Sequence, residues 1–266
     1  MPSNGRPALL DLGLAIAMPV LCGLAWMTWA GAPRSYLAVN IAALLIAIAT
    51  ALWLPMPNRA SRHLVFASGT LLLLWLTALF GKEIAGVRRW VELGPLSLHI
   101  GYLVLPLFVV MTSRLPGKTA AALLFLAAIA TTVQPDRAAT YALAAAAAAI
   151  ALQRKDRYAV SALVVTLLAT AFVPMLADPL QPVRFVEGVQ RDALAREPAL
   201  GALLVLATLA PLALLRSGGG HAFPLAMFMV VAGYAAFIGA YPSILIGYGA
   251  APILGFGLAI SALRKQ

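Results

Sequence analysis

Long apolar runs alternate with short polar or Pro/Gly-bearing connectors along the whole chain. The runs fall at 8–30, 35–54, 64–80, 97–112, 119–133, 138–152, 158–177, 199–215, 222–240 and 244–263. Most approach the roughly 20 residues that carry a helix across a bilayer. The pattern predicts an all-α polytopic membrane protein of about ten transmembrane helices, organised as one integral membrane domain over 1–266. The alanine stretch Ala144–Ala149 is only weakly hydrophobic. The ribbon 184–194 carries Phe185, Val189 and Leu194 among charges, which predicts a short amphipathic helix on the surface.

Alternate connectors sort the charges into two sets. One side collects Arg6, Arg59, Arg62, Arg114, Lys118, Arg154, Lys155, Arg157, Arg216, Arg264 and Lys265. The other holds Arg34, Lys82, Arg88, Arg89, Arg137, Arg184, Arg191 and Arg196. Positive charge favours the cytoplasmic side of short loops, which predicts both termini inside. Acidic residues sort the opposite way. Asp11 and Asp156 fall on the inner side, whereas Glu83, Glu92, Asp136, Asp178, Glu187, Asp192 and Glu197 fall outside. Mixed charge on the outer face makes it the place to expect chemistry.

Composition agrees with a membrane setting: 62% of residues are hydrophobic and 11% charged, against about a quarter charged in an ordinary soluble domain. The net charge of +10 is explained by topology and needs no nucleic acid. The first run carries Asp11 and continues without a convincing cleavage site, so it reads as a retained helix. Cys22 is the single cysteine, which excludes an intrachain disulfide.

Three features carry candidate chemistry. The ribbon Gly86-Val87-Arg88-Arg89-Trp90-Val91-Glu92-Leu93-Gly94 concentrates charge between two apolar runs. Its arginines suit a phosphate, or else belong to a solvated loop that Trp90 anchors at the interface. Asp136, in Gln134-Pro135-Asp136-Arg137, follows a proline break and opens the next helix, as a working carboxylate or an ordinary N-cap. Gly247-Tyr248-Gly249 opens the last run, where small residues permit close approach of a helix or a ligand. His63, His99 and His221 stand apart, without metal-ligand spacing, and no Walker or Rossmann glycine pattern is present.

Together these pieces resemble the SEDS family of FtsW/RodA-type peptidoglycan polymerases. The 86–94 ribbon is similar to that family's Gly-Ala-x-Arg-Trp-Ile-x-Leu-Gly loop between helices three and four. Gln134-Pro135-Asp136 is similar to its Pro-Asp pair after helix five. Tyr241-Pro242-Ser243-Ile244-Leu245-Ile246-Gly247-Tyr248-Gly249 resembles the Pro-Phe-x-Ser-Tyr-Gly-Gly-Ser stretch that opens helix ten. Where the family carries Gln-Pro-Ser-Glu-x-x-Lys, this chain reads His99-Ile100-Gly101-Tyr102-Leu103-Val104-Leu105.

The resemblance implies a glycosyltransferase of the bacterial cytoplasmic membrane that polymerises lipid II at the outer face, in division or shape maintenance. Asp136 would be its catalytic base. Arg88, Arg89, Trp90, Glu92 and Tyr248 would bind substrate, with Arg89 first among the arginines. It implies no cofactor, and ligand spacing points to no divalent cation. A class B penicillin-binding protein is the implied partner, beside membrane lipid. Two other readings stay open: a non-catalytic scaffold or lipid II-binding protein of the same type, and a transporter.

Overall fold

The computed structural model describes residues 11, 13–54, 59–94, 96–176, 178, 180–216 and 219–263. Arg6, Arg264 and Lys265, used above for orientation, lie outside the described residues, as do 8–10 of the first apolar run, Ala177 and connector residues 55–58.

Apolar runs become helices in the expected order. A π-helical turn at Gly13–Ala17 leads into α1 (Met18–Trp29), followed by α2 (Arg34–Trp53) and α3 (Ala60–Phe80). Beyond the charged ribbon come α4 (Ile100–Ser113), α5 (Gly117–Val133), α6 (Arg137–Arg154) and α7 (Arg157–Phe172), the last extended by a 3-10 turn at Val173–Met175. The surface helix expected near 184–194 forms as α8, Val189–Arg196. Next are α9 (Pro198–Ala207), a 3-10 segment Ala210–Arg216, α10 (Ala222–Ile238) and α11 (Ala250–Leu263).

The all-α expectation needs one correction. The ribbon is an antiparallel sheet of β1 (Lys82–Ile84), β2 (Val87–Leu93) and β3 (Leu96–His99), in that order. Its residues alternate at the start of β2, with Val87 and Arg89 buried and Arg88 and Trp90 half-exposed, the period of a strand. Gly86 and Gly94, at φ +84° and +60°, turn the chain at the two corners. The helix expected from 97 therefore begins at Ile100. Likewise the last helix starts at Ala250, and 244–249 is irregular.

The core is apolar, as in a soluble protein, and it is the exterior that differs. α4 is buried on nearly every side, and α11, α6 and α10 surround it with alanine, glycine and other small groups. α11 packs on both α2 and α4, α10 on α6, and α3 on α4. Gly255 of α11 makes one of these approaches possible, since a Cβ there would stand 2.3 Å from the Tyr102 carbonyl oxygen. The peripheral helices, by contrast, turn Leu45, Ile46, Leu72, Leu73, Leu167 and Leu168 outward. Contiguous apolar surface of this kind is stable only against lipid. The chain is thus a membrane protein. Among the described residues four helices, Arg34–Trp53, Ala60–Phe80, Arg157–Met175 and Pro198–Leu215, are long and apolar enough to cross a membrane by length and composition. The other apolar helices are shorter, and α6 is rich in alanine.

The close α11–α4 approach is testable. Gly255→Ala should destabilise the detergent-purified protein by about 2–3 kcal/mol through overpacking, read as an earlier thermal unfolding midpoint. An unchanged midpoint would mean that these two helices do not meet here.

Candidate functional site

The sheet, the turns after α1 and α5, the segment before α8 and the loop before α11 gather at one end of the bundle. Arg89 is their junction. It is 3% exposed, and its Nε donates to the Gln134 carbonyl at 2.7 Å. Its Nη2 donates to the Pro135 carbonyl at 2.6 Å and lies 3.0 Å from Asp178 Oδ2. A planar fork reaches three acceptors on two segments from two separate nitrogens, a spread that the single nitrogen of a lysine does not offer. The ribbon and the Pro-Asp turn, far apart in sequence, are therefore in direct contact. The donors of Arg89 named here are spent on protein groups.

Asp136, 1% exposed, caps α6 by accepting the Ala139 amide through Oδ1 at 3.0 Å. Its Oδ2 lies 3.4 Å from His99 Nε2 and takes no hydrogen bond among the described residues. Gly101 leaves room for this pair, because a Cβ there would sit 3.2 Å from the imidazole and 3.5 Å from Asp136 Oδ2. His99 caps α4, with Nδ1 accepting the Tyr102 amide at 3.4 Å. That contact puts the ring proton on Nε2, facing the carboxylate. Burial holds the His99 pKa down to about 4; Asp136 opposes this and Arg89 reinforces it. Trp90 stands edge-on to the imidazole at 5.5 Å.

In front of His99 opens a largely apolar cavity of about 280 Å³. Trp90, His99, Tyr102, Glu187 and Tyr248 are among the polar groups of its wall, with Ser97, Gln181 and Ser243. Asp136 is not part of that wall and stands behind His99. Glu187 precedes α8, in a segment clipped to the loop before α11. The Ser243 amide donates to the Val186 carbonyl at 2.7 Å, and the Tyr248 amide to that of Phe185 at 2.6 Å. Tyr248 in turn stacks on Tyr36 at 3.7 Å, and Asn40 holds the Gly247 carbonyl and the Gly249 amide. Burial pushes the Glu187 pKa up to about 7, although its Oε2 accepts the Val183 amide at 2.6 Å. A carboxyl poised near neutrality in a largely apolar cavity can exchange a proton with a bound hydroxyl.

The expected site residues thus separate. Trp90 and Tyr248 line the cavity, while Arg89 and Asp136 form the support behind it. Arg88 and Glu92 lie on the outer surface of the sheet, where Arg88 pairs with Glu83 at 2.8 Å and Glu92 with Lys82. Glu187 and His99 are additions from the fold. The sequence signal for Glu187 was a carboxylate set between Phe185-Val186 and Gly188; for His99, its being the one outer histidine. Among the described residues no group of three or more His, Cys, Asp or Glu side chains could hold a metal ion.

No protein-family model matches the chain, and no curated protein matches it. Its fold is that of solved rod-shape-determining proteins. The Rod shape determining protein RodA of Thermus thermophilus superposes with a TM-score of 0.66 at 18% identity, over 99% of this chain and 98% of that one. A single-substitution mutant of that protein gives 0.64 at 19% identity, over 97% of both chains. A chain from a peptidoglycan synthase complex, described as coordinating polymerization and crosslinking, gives 0.58 at 19%, also over 97% of both.

The buried imidazole predicts an acid response. His99 is neutral in the fold down to about pH 4, whereas an unfolded chain protonates it below about 6.5. Its contribution to stability is therefore complete above pH 6.5 and is lost as pH falls toward 4, by about 3 kcal/mol at most. His99→Gln should flatten the fall in unfolding midpoint between pH 6.5 and 4. An equally steep fall in the variant would assign the acid response to other groups.

Proposed function

We propose that this chain is a SEDS-type polymerase of lipid-linked cell-wall glycan, working at the outer face of the bacterial cytoplasmic membrane. One observation carries the reading: at the sheet-bearing end of a RodA-like fold, Glu187, with a pKa near 7, faces a cavity beside Trp90, His99 and Tyr248. The substrate is lipid II or a related polyprenyl-pyrophosphate sugar. Its isoprenoid portion suits the apolar wall and the surrounding lipid.

In this mechanism Glu187 takes the proton from the sugar 4-hydroxyl as that oxygen attacks the anomeric carbon of a second lipid-linked sugar. The glycosidic bond forms, and the bond to polyprenyl pyrophosphate breaks. Trp90 and Tyr248 offer aromatic faces to the sugars. Asp136, the base implied by the sequence resemblance, acts through His99 by keeping the ring oriented in the cavity wall. Arg89 positions the Pro-Asp turn and does not serve as the first phosphate ligand. Arg88, on the outer surface of the sheet, is the remaining arginine of the ribbon for the leaving group, once released from Glu83 and the Leu79 carbonyl. A class B penicillin-binding protein is the fitting partner to cross-link the strands.

The test is lipid II polymerisation by purified protein, with and without a co-expressed class B penicillin-binding protein. Glu187→Gln should lower the rate by at least about 10²-fold, the lower range for losing a general base. Wild-type activity should rise with pH through about 7, because the basic form is the carboxylate. Asp136→Ala should also lower the rate while leaving that pH dependence in place. If Asp136→Ala abolishes polymerisation and Glu187→Gln does not, the base is Asp136. No product from well-folded wild type would leave the non-catalytic, lipid II-binding reading.

A further inference from the structure

Glu187 and Val183 wall a second recess on the far side from the apolar cavity. It has a volume of about 230 Å³, and α1, the segment before α8, and α8 itself all contribute to it. Trp26 of α1 forms part of its lining. That indole is fully buried and stacks on Trp29 with ring centroids 5.2 Å apart. Its Nε1–H has no acceptor among the described residues. A buried donor without an acceptor is costly, and such an orphan calls for a ligand or water that would complete it.

The other polar groups of the recess show which kind of ligand fits. Arg184 lies over the Phe185 ring at 4.6 Å and donates one hydrogen bond, to the Ala30 carbonyl at 3.2 Å. Arg196 is paired through Nε to Asp192 Oδ1 at 2.8 Å. Each guanidinium carries five N–H groups, so both keep donors to spare. The acceptors are more committed, Asp192 to Arg196 and Glu187 to the Val183 amide. Unused donors outnumber unused acceptors, and they come from three separate segments. A ligand here must bring several acceptor oxygens pointing in different directions, together with negative charge.

We propose that this recess is a binding site for a phosphate-type oxyanion, held by Trp26 Nε1, Arg184 and Arg196. A tetrahedral phosphate supplies acceptors to all three at once, and guanidinium forks match it. The recess lies beside the C-terminal end of α1, close to Trp29 and Ala30, where the apolar helix gives way to loop. A lipid phosphate headgroup and a free phosphate both present the required chemistry at that level. The inference does not depend on glycan polymerisation, since it concerns binding by residues outside the apolar cavity.

Two probes separate the sources: inorganic pyrophosphate, and a short-chain phosphatidic acid in mixed micelles. Each is titrated calorimetrically into the full chain in neutral detergent, with chloride matched for ionic strength. Trp26→Phe keeps an aromatic ring but removes the pyrrole portion with its N–H, and Arg196→Gln removes a partly exposed guanidinium. Each should weaken binding about tenfold, the scale of one hydrogen bond to a charged group. Lys82→Gln, which removes an exposed cation at the same end of the bundle, should leave affinity unchanged. Should Trp26→Phe fail to fold, Arg184→Gln on the exposed rim takes its place. Binding of pyrophosphate supports a free-oxyanion site; binding of phosphatidic acid alone supports a headgroup site. Failure of folded wild type to bind either probe overturns the proposal, and so does binding that Trp26→Phe and Arg196→Gln leave unaltered. No step of this test requires turnover, so its failure is distinct from failure of the polymerase reading.

Discussion

The buried guanidinium of Arg89 ties β2 to the turn between α5 and α6 and to Asp178 after α7. Without it, three segments of the sheet-bearing end would have no common anchor. Desolvating an ion pair is expensive, and a buried pair is weak evidence for stability. Its value here is geometric. Arg89 holds the carbonyls of Gln134 and Pro135, and so sets where α6 begins and where its capping carboxylate, Asp136, stands. Asp136 then meets His99, which enters from β3, the strand hydrogen-bonded to the one that carries Arg89. The sheet thus delivers both a guanidinium and an imidazole to the same carboxylate turn.

Much of the helical order was legible in the sequence, because in a membrane protein hydropathy is the dominant constraint and each backbone must satisfy its hydrogen bonds within its own segment. The runs at 35–54 and 64–80 reappear almost unchanged as α2 and α3. Edges were less legible. Leu96–His99 belongs to a strand because its partner β2 pairs with it, and that pairing leaves no local hydropathy mark. The run at 199–215 hides a break at Thr208–Leu209, where an α-helix changes to a 3-10 segment with the same apolar character.

Legibility of the candidate site follows the same division. Arg89, Trp90, Asp136 and Tyr248 stood out because charge or aromatic character is unusual in so apolar a chain. Their roles did not follow from that. Arg89 looked like a phosphate ligand because its type fits one, but its hydrogen bonds to backbone carbonyls exist only after folding. Glu187 was one acidic residue among seven on the outer side. What sets it apart is a half-buried place in the wall of the apolar cavity, which arises when the segment from Phe185 to Gly188 is clipped against Ser243 and Tyr248.

The environments of His99 and Glu187 push two titratable groups of the same cavity in opposite directions from their ordinary values. His99 is held near pKa 4 and Glu187 near 7, with burial as the first cause of each. At neutral pH the imidazole is therefore fixed in its neutral form, its proton directed at Asp136, while the carboxyl divides between both forms. Divergent shifts of this kind are how a site separates an inert polar wall from a group that can move a proton. Of the buried charges behind His99, Asp136 opposes the separation and Arg89 supports it. Arg89 disfavours a second positive charge on the imidazole, and its contact with Asp178 gives the guanidinium its own counter-ion. In the proposed mechanism, proton exchange with a bound hydroxyl therefore falls to Glu187, on the segment shared between the apolar cavity and the arginine-lined recess.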